Sequence, residues 1–134
     1  MTNLKTVEGI GEVYRTKLSD AGITTTQALL EQGKTPKGRD ELARATGISA
    51  SLILEWVNHV DLFRVRGIGS EYADLLEEAG VDTVPELAQR NPKNLHKTLI
   101  QTNEDKNLVR QVPGASQVEA WVTQAKTLPR EIVY

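Results

Sequence analysis

The chain repeats a segment of its own sequence, and this repeat constrains the fold more than any other feature. VEGIGEVYRTKLSDAGITTTQALL, starting at Val7, aligns without a gap with VRGIGSEYADLLEEAGVDTVPELA, starting at Val65. Both segments carry a Gly-Ile-Gly at the same place, and the two are 58 residues apart. A long ungapped repeat predicts an internal duplication. We predict one unit at residues 1–60 and a second at residues 61–134.

The repeat continues beyond these segments with a change of register. SASLILEWV, from Ser49, corresponds to GASQVEAWV, from Gly114, so that the offset is now 65. The second copy therefore has extra residues between its two matching segments, and we place them around QTNEDKN at residues 101–107. Because no Gly/Ser/Pro-rich linker separates the copies, we expect them to pack as one compact domain.

Apolar residues recur with the helical period in almost every segment, and none shows the sustained alternation of a strand. In the second copy Tyr72, Leu75 and Leu76 lie on one stripe, with acidic residues between them. Thr35-Pro36 and Asn91-Pro92 each place a capping residue before a proline, which is typical of a helix start. The sequence therefore predicts an all-α fold. We expect the equivalent residues Trp56 and Trp121 to lie in the core rather than to stack on bases.

The two Gly-Ile-Gly segments have the chemistry of a tight turn before a helix. We call Gly9–Gly11 the first glycine turn and Gly67–Gly69 the second glycine turn. The leading glycine permits a positive φ, and the last glycine permits another backbone to approach. The isoleucine would point into the core. The next helix begins with N–H groups that face outward, and such groups can bind an anion.

These segments resemble the helix-hairpin-helix family, since VEGIGEVYRTKL and VRGIGSEYADLL match its apolar-x-Gly-apolar-Gly core. Members of that family often bind DNA without sequence preference, by holding a backbone phosphate on the amides of the turn. EWVNHVDLFRVRGIGSEYADLLEEAGVDTVPELAQRNPKNL, with the later WVTQAKTL, is also similar to a bacterial family of unknown function built on tandem helix-hairpin-helix units. That likeness covers nearly the whole chain. It implies two tandem helix-hairpin-helix units.

The resemblance implies which residues would face a nucleic-acid phosphate. They are the two glycine turns with the polar neighbours of the second turn: Gly9, Ile10, Gly11, Arg64, Arg66, Gly67, Ile68, Gly69 and Ser70. The charge around the second turn argues against this function. Residues 60–80 hold two basic and five acidic residues, a local charge of −3. Since cationic contacts supply most of the affinity for phosphate, this charge weakens the prediction.

Two hypotheses about function therefore follow. The first is weak, sequence-independent binding of DNA or RNA through the turn amides, with Arg64 and Arg66 as the phosphate partners. The second is a protein-interaction or scaffold module in which the turns are only structural and a protein partner or a second copy is bound.

RDELARATGISASLILEWVN also fits helix-turn-helix spacing, but Ser49, Ala50 and Ser51 are poor readers of bases. Other basic residues, including Arg39 and Lys97, could add positive surface or merely form solvated helix faces.

Composition excludes several other classes of protein. The formal net charge is −2, so no strong steering toward nucleic acid is expected from the whole chain. There is no cysteine, which excludes disulfides and fits a reducing cytoplasm. His59 and His96 have no other ligand at metal spacing, and no catalytic motif is recognisable. We expect no enzyme activity, cofactor, metal or small-molecule substrate, and neither a signal peptide nor a membrane span.

Overall fold

A computed structural model describes residues 3–7 and 9–134 of the chain. The described residues form a short 3₁₀ helix, η1, followed by eight α-helices. Their bounds are η1 Leu4–Thr6, α1 Glu12–Asp20, α2 Thr26–Gly33, α3 Pro36–Thr46, α4 Ala50–Leu62, α5 Ser70–Glu78, α6 Val84–Ala88, α7 Pro92–Lys106 and α8 Ala115–Ala125.

The predicted all-α class is confirmed. Residues 3–7 and 9–134 contain no β-strand, and only one isolated antiparallel bridge joins Asn3 and Thr25. The predicted helix caps are also found. The Thr35 hydroxyl accepts a hydrogen bond from the Gly38 N–H, and the Asn91 side-chain oxygen accepts one from the Asn94 N–H, both at 3.1 Å. Within the described part of the chain, no helix combines the length and the apolar character needed to cross a bilayer.

Contacts within the chain divide it into two compact units. The first unit contains the described residues up to Asp61 together with Glu131–Tyr134, and the second unit is Leu62–Arg130. The repeat in the sequence assigns residues 131–134 to the second copy, whereas their contacts are made in the first unit. The repeat cannot reveal that the end of the chain packs in the first unit, because only tertiary contacts determine which unit these residues join.

Each unit has its own apolar core. In the first unit Leu18, Leu29 and Ile53 are fully buried. In the second unit a single cluster contains residues from every helix of that unit, and Leu76 and Leu99 are fully buried in it. These leucines lie on the apolar stripes of their helices, so burial of one face per helix accounts for both cores.

Residues Glu131–Tyr134, which we call the strap, pack in the first unit without regular secondary structure. The Ile132 side chain is buried, and the Val133 N–H donates to the Lys34 carbonyl at 2.7 Å. Arg39, itself buried, donates from Nη1 to the Gly33 carbonyl and from Nη2 to the Val133 carbonyl, at 2.8 and 2.9 Å. The backbone of the strap is therefore held at Val133 by the Lys34 carbonyl and by the buried guanidinium of Arg39.

Candidate nucleic-acid interface

The second glycine turn connects α4 to α5 and is fixed by short backbone hydrogen bonds. The Val65 N–H donates to the Leu62 carbonyl, and the Ile68 N–H donates to the Val65 carbonyl, both at 3.1 Å. The side chains of Val65 and Ile68 are buried in the core of the second unit. These bonds and this burial leave Gly67 and Gly69 exposed at the tip of the turn.

The two glycines of this turn have different roles. Gly67 has φ +93°, and a Cβ atom there would lie 3.1 Å from the indole nitrogen of Trp121. Gly69 has an extended backbone with φ −104°, and a Cβ atom there would have no described atom within 4 Å. The leading glycine thus needs the predicted positive φ. At the last glycine no protein backbone approaches, so the expected close neighbour is not found among the described residues, and the space stays open.

The start of α5 presents a row of backbone donors beside this open space. The first hydrogen bond of the helix runs from the Ala73 N–H to the Gly69 carbonyl at 2.9 Å. The N–H groups of Ser70, Glu71 and Tyr72 precede that bond and therefore point out of the helix end. Together with the positive end of the helix dipole, such donors attract an anion.

The first glycine turn has the same local geometry. Gly9 has φ +89°, a Cβ atom added there would lie 3.3 Å from the indole nitrogen of Trp56, and Ile10 is buried. The Gly11 carbonyl accepts the first hydrogen bond of α1, from the Arg15 N–H at 2.9 Å. Glu8, which the sequence pairs with Arg66, lies outside the described residues.

A pair of aromatic rings lies beside each glycine turn. The ring centroids of Tyr14 and Trp56 lie 5.1 Å apart, and those of Tyr72 and Trp121 lie 5.3 Å apart. Both tryptophans are buried, which confirms the prediction that they belong to the core. The Tyr72 hydroxyl also donates to the carbonyl of Gln111 at 3.1 Å.

The two arginines predicted to hold phosphate lie in different surroundings. The Arg64 guanidinium donates from Nη2 to the Pro129 carbonyl, so that part of its hydrogen-bonding capacity is already used. Arg66 is exposed, and its guanidinium makes no hydrogen bond or ion pair to any described residue. Arg66 is therefore the cation beside the second glycine turn that is best placed to meet a ligand.

Gln124 on α8 is a contributor to this site that the sequence does not indicate. Its side-chain oxygen accepts a hydrogen bond from the Arg66 N–H at 3.0 Å and thereby fixes the entry into the turn. The residue type at this position carries no signal, because a glutamine on a helix face is ordinarily solvated. Its role depends on α8 lying against the turn, and this is a property of the fold.

The charges around the second turn are only partly balanced. Glu71 is exposed in the first turn of α5, next to the outward-facing amides. At the other end of the helix, Lys106 donates to Glu78, and this hydrogen bond raises the pKa of Lys106 above the usual lysine range. The pair neutralises one of the acidic residues of α5, while Glu71 remains close to the candidate site.

The other side chains considered in the sequence analysis have different surroundings from those at the second glycine turn. Arg39 is buried beneath the strap and cannot form part of a basic surface. A ring nitrogen of His96 lies 3.0 Å from the Pro113 carbonyl. By contrast, Lys97 is exposed on α7, as expected for a solvated helix face.

Comparisons with known proteins identify a family without assigning an activity. No curated protein and no solved structure matches the chain significantly. The profile of a family described as a domain of unknown function, DUF4332, matches residues 8–128. Because this match includes both glycine turns and all eight α-helices, the chain belongs to the DUF4332 family.

Proposed function

We propose that each unit is a helix-hairpin-helix and that the chain binds the sugar-phosphate backbone of nucleic acid without reading its sequence. The observation that carries this proposal is the second glycine turn. This turn has three outward-facing amides, an open space at Gly69 and, at the preceding position 66, an arginine whose guanidinium has no partner among the described residues. Amides at a helix start and a free guanidinium are complementary to a phosphate in both geometry and charge.

The second turn is a better phosphate site than the first because of its flanking residues. At positions 58 residues apart, Arg66 and Ser70 replace Glu8 and Glu12. The exposed residue after Glu12 is Val13, which is 67% exposed and offers nothing to an anion. The first turn therefore has the backbone of a phosphate site without the charge, and we assign binding to the second turn.

The affinity is expected to be weak and dependent on salt. Each phosphate that is neutralised contributes a slope of about −0.9 to the plot of log K against log salt concentration. With Arg66 as the main cation, we expect a slope between about −1 and −3. Fluorescence anisotropy of a labelled duplex of arbitrary sequence, titrated at several ionic strengths, measures this slope.

Two glycine substitutions test the site without disturbing the fold. Gly69→Ala and Gly11→Ala both place a methyl group where no described atom lies within 4 Å, on extended backbone. We expect Gly69→Ala to weaken duplex binding about tenfold or more, because hydrogen bonds to a charged group contribute about 1.5–3 kcal/mol. Gly11→Ala is the matched control and should bind like the unmodified chain.

A charge reversal provides an independent check. Arg66→Glu, which introduces the residue found at Glu8, should abolish binding. Lys17→Glu makes the same kind of reversal at an exposed position on α1 and should have only a small effect. The proposal fails if no duplex binds at low ionic strength, or if the two glycine variants lose affinity equally. A failure would favour the alternative that the turns are structural and that the chain contacts a protein.

A further inference from the structure

A small open cavity lies in the first unit, on the surface formed by η1, α1 and the segment that follows α1. Its volume is about 190 Å³, and its lining residues are Asn3, Leu4, Lys5, Arg15, Ser19, Ile23 and Thr24. Leu4 and Ile23 are buried and form an apolar floor. The remaining lining residues are polar or cationic, so the cavity has an apolar base and a rim of hydrogen-bond donors.

The described residues give this rim a positive charge. Lys5 and Arg15 both line the cavity, and none of its described lining residues carries a carboxylate. In residues 3–7 and 9–134, neither of these two side chains makes an ion pair or a hydrogen bond. Arg15 is half-buried and lines the cavity.

Hydroxyl groups add neutral donors between the two cations. Ser19 lies four residues after Arg15 on α1 and therefore on the same face of the helix. Thr24 lines the cavity from the segment after α1. The side-chain oxygen of Asn3 accepts a hydrogen bond from the Lys5 N–H at 2.9 Å. The NH₂ group of the same side chain is a further donor. Five donor-bearing side chains thus line the cavity, and two of them are cationic.

The end of α1 does not oppose an anion here, although a helix C-terminus is ordinarily negative. The N–H groups of Ala21 and Ile23 both donate to the Leu18 carbonyl, at 3.0 and 2.8 Å. The Gly22 N–H donates to the Ser19 carbonyl at 2.9 Å. These bonds satisfy the Leu18 and Ser19 carbonyls, so two of the acceptors at the helix end are not directed at a ligand.

The same positions in the second copy have opposite chemistry. At a spacing of 58 residues, Lys5 and Arg15 correspond to Phe63 and Ala73. Ser19 and Thr24 correspond to Glu77 and Asp82. The cations are therefore not required by the repeated turn-and-helix pattern, since the second copy forms its turn and α5 without them.

We propose that this cavity binds the phosphate group of a small ligand, either inorganic phosphate or a phosphate monoester. A guanidinium donates to two oxygens of a phosphate, an ammonium acts as a point charge, and hydroxyl groups complete the remaining contacts. A tetrahedral oxyanion has enough oxygens to accept from all of these groups. The open side of the cavity leaves room for the rest of an esterified ligand. This inference does not rest on the proposed binding of nucleic acid.

Calorimetric titration of the full chain with inorganic phosphate tests the inference, with chloride as the background anion. We expect saturable binding at a single site. Arg15→Gln should weaken it about tenfold or more, because it removes a charged donor. Lys5→Gln, at an exposed position that tolerates substitution, should also weaken it. Lys17→Gln removes an exposed charge from α1 outside the cavity and is the matched control, with little expected effect.

Two further titrations identify the source of the phosphate. A nucleoside monophosphate should bind with an affinity like that of inorganic phosphate and should likewise be weakened by Arg15→Gln. A duplex without terminal phosphates should not displace inorganic phosphate. Displacement by the duplex, absence of saturable binding, or equal losses in Arg15→Gln and Lys17→Gln would each overturn the inference. Gly69→Ala should leave the phosphate titration unchanged, which separates this site from the second glycine turn.

Discussion

At the scale of single residues, the leading glycine of each turn is defined by the tryptophan packed against it. Gly67 and Gly9 both have a positive φ, and in both cases the indole nitrogen of a buried tryptophan lies beside the missing side chain. The last glycine of each turn has ordinary extended backbone and free space around it. The two glycines of each turn therefore differ: the fold requires the first to lack a side chain, whereas the space at the last is open.

Gly67→Ala is expected to lower the free energy of unfolding by about 1–3 kcal/mol, which is the usual cost of a residue held in a sparsely populated backbone region. The contact with Trp121 at 3.1 Å adds to this cost. Gly9→Ala should have a similar effect in the first unit. Urea unfolding followed by tryptophan fluorescence measures these changes. Gly69→Ala and Gly11→Ala are the controls and should unfold like the unmodified chain; a loss in Gly69→Ala equal to that in Gly67→Ala would contradict the distinction.

At the scale of secondary-structure elements, the two units differ in the third helix of each unit, α3 or α7, and in the segment that follows it. The helix α3 has 11 residues and α7 has 15, and the segment after α7 is also longer. The extra length predicted around residues 101–107 is thus shared between helix and loop: α7 ends at Lys106 and is followed by Asn107 with φ 51°, which begins the longer segment before α8. The residues that the alignment treats as an insertion extend α7 by about one turn.

The side chain of Asn103 holds the start of the segment after α7. Its oxygen accepts from the N–H groups of Leu108 and Val109 at 2.8 and 2.9 Å, and its NH₂ group donates to the Val109 carbonyl at 3.1 Å. We expect Asn103→Leu to lower the free energy of unfolding by about 2–4 kcal/mol, since three partly buried backbone groups lose their partner. Thermal unfolding measures the loss.

Asn103→Asp is the informative comparison for that substitution. A carboxylate can still accept from both N–H groups but cannot donate to the Val109 carbonyl. The free energy of unfolding of Asn103→Asp should therefore lie between that of the unmodified chain and that of Asn103→Leu. Equal losses in the two variants would show that the acceptor role of Asn103 contributes nothing.

At the scale of the whole molecule, the strap makes the first unit discontinuous in sequence. The hydrogen bond from Arg39 to the Val133 carbonyl joins residues 94 positions apart. Arg39 supplies donors to two backbone carbonyls from a buried position, so it acts as an internal anchor rather than as a surface cation. Burial of Ile132 adds an apolar contact to the same strap.

Arg39→Ala should release the strap and destabilise the first unit by about 3 kcal/mol, because it removes charged donors from two carbonyls. Hydrogen exchange at the Val133 amide, which is bonded to the Lys34 carbonyl, is the specific measurement and should accelerate. Lys37→Ala, at an exposed position on the same helix, is the control and should leave this exchange rate unchanged. Slow exchange at Val133 in Arg39→Ala would show that the strap does not depend on Arg39.

The helical elements could be predicted from the sequence, because apolar periodicity and capping residues such as Thr35 and Asn91 act locally. The burial of Trp56 and Trp121 also followed from their equivalent places on apolar stripes. The roles of Gln124 and Arg39 could not be predicted, since each depends on a partner brought close only by the fold. The same holds for the cavity lined by Lys5 and Arg15, because these residues come from different elements and neither stands out in the linear sequence.

The strap also has a consequence for the time order of folding. During synthesis the residues up to Asp61 emerge first, but their partner segment Glu131–Tyr134 is separated from them by the 69 residues of Leu62–Arg130. At about 5–20 residues per second, that delay is roughly 3–14 seconds. The second unit is continuous in sequence and needs no such wait to close its core. The part of the chain that is made first is therefore the part that is completed last.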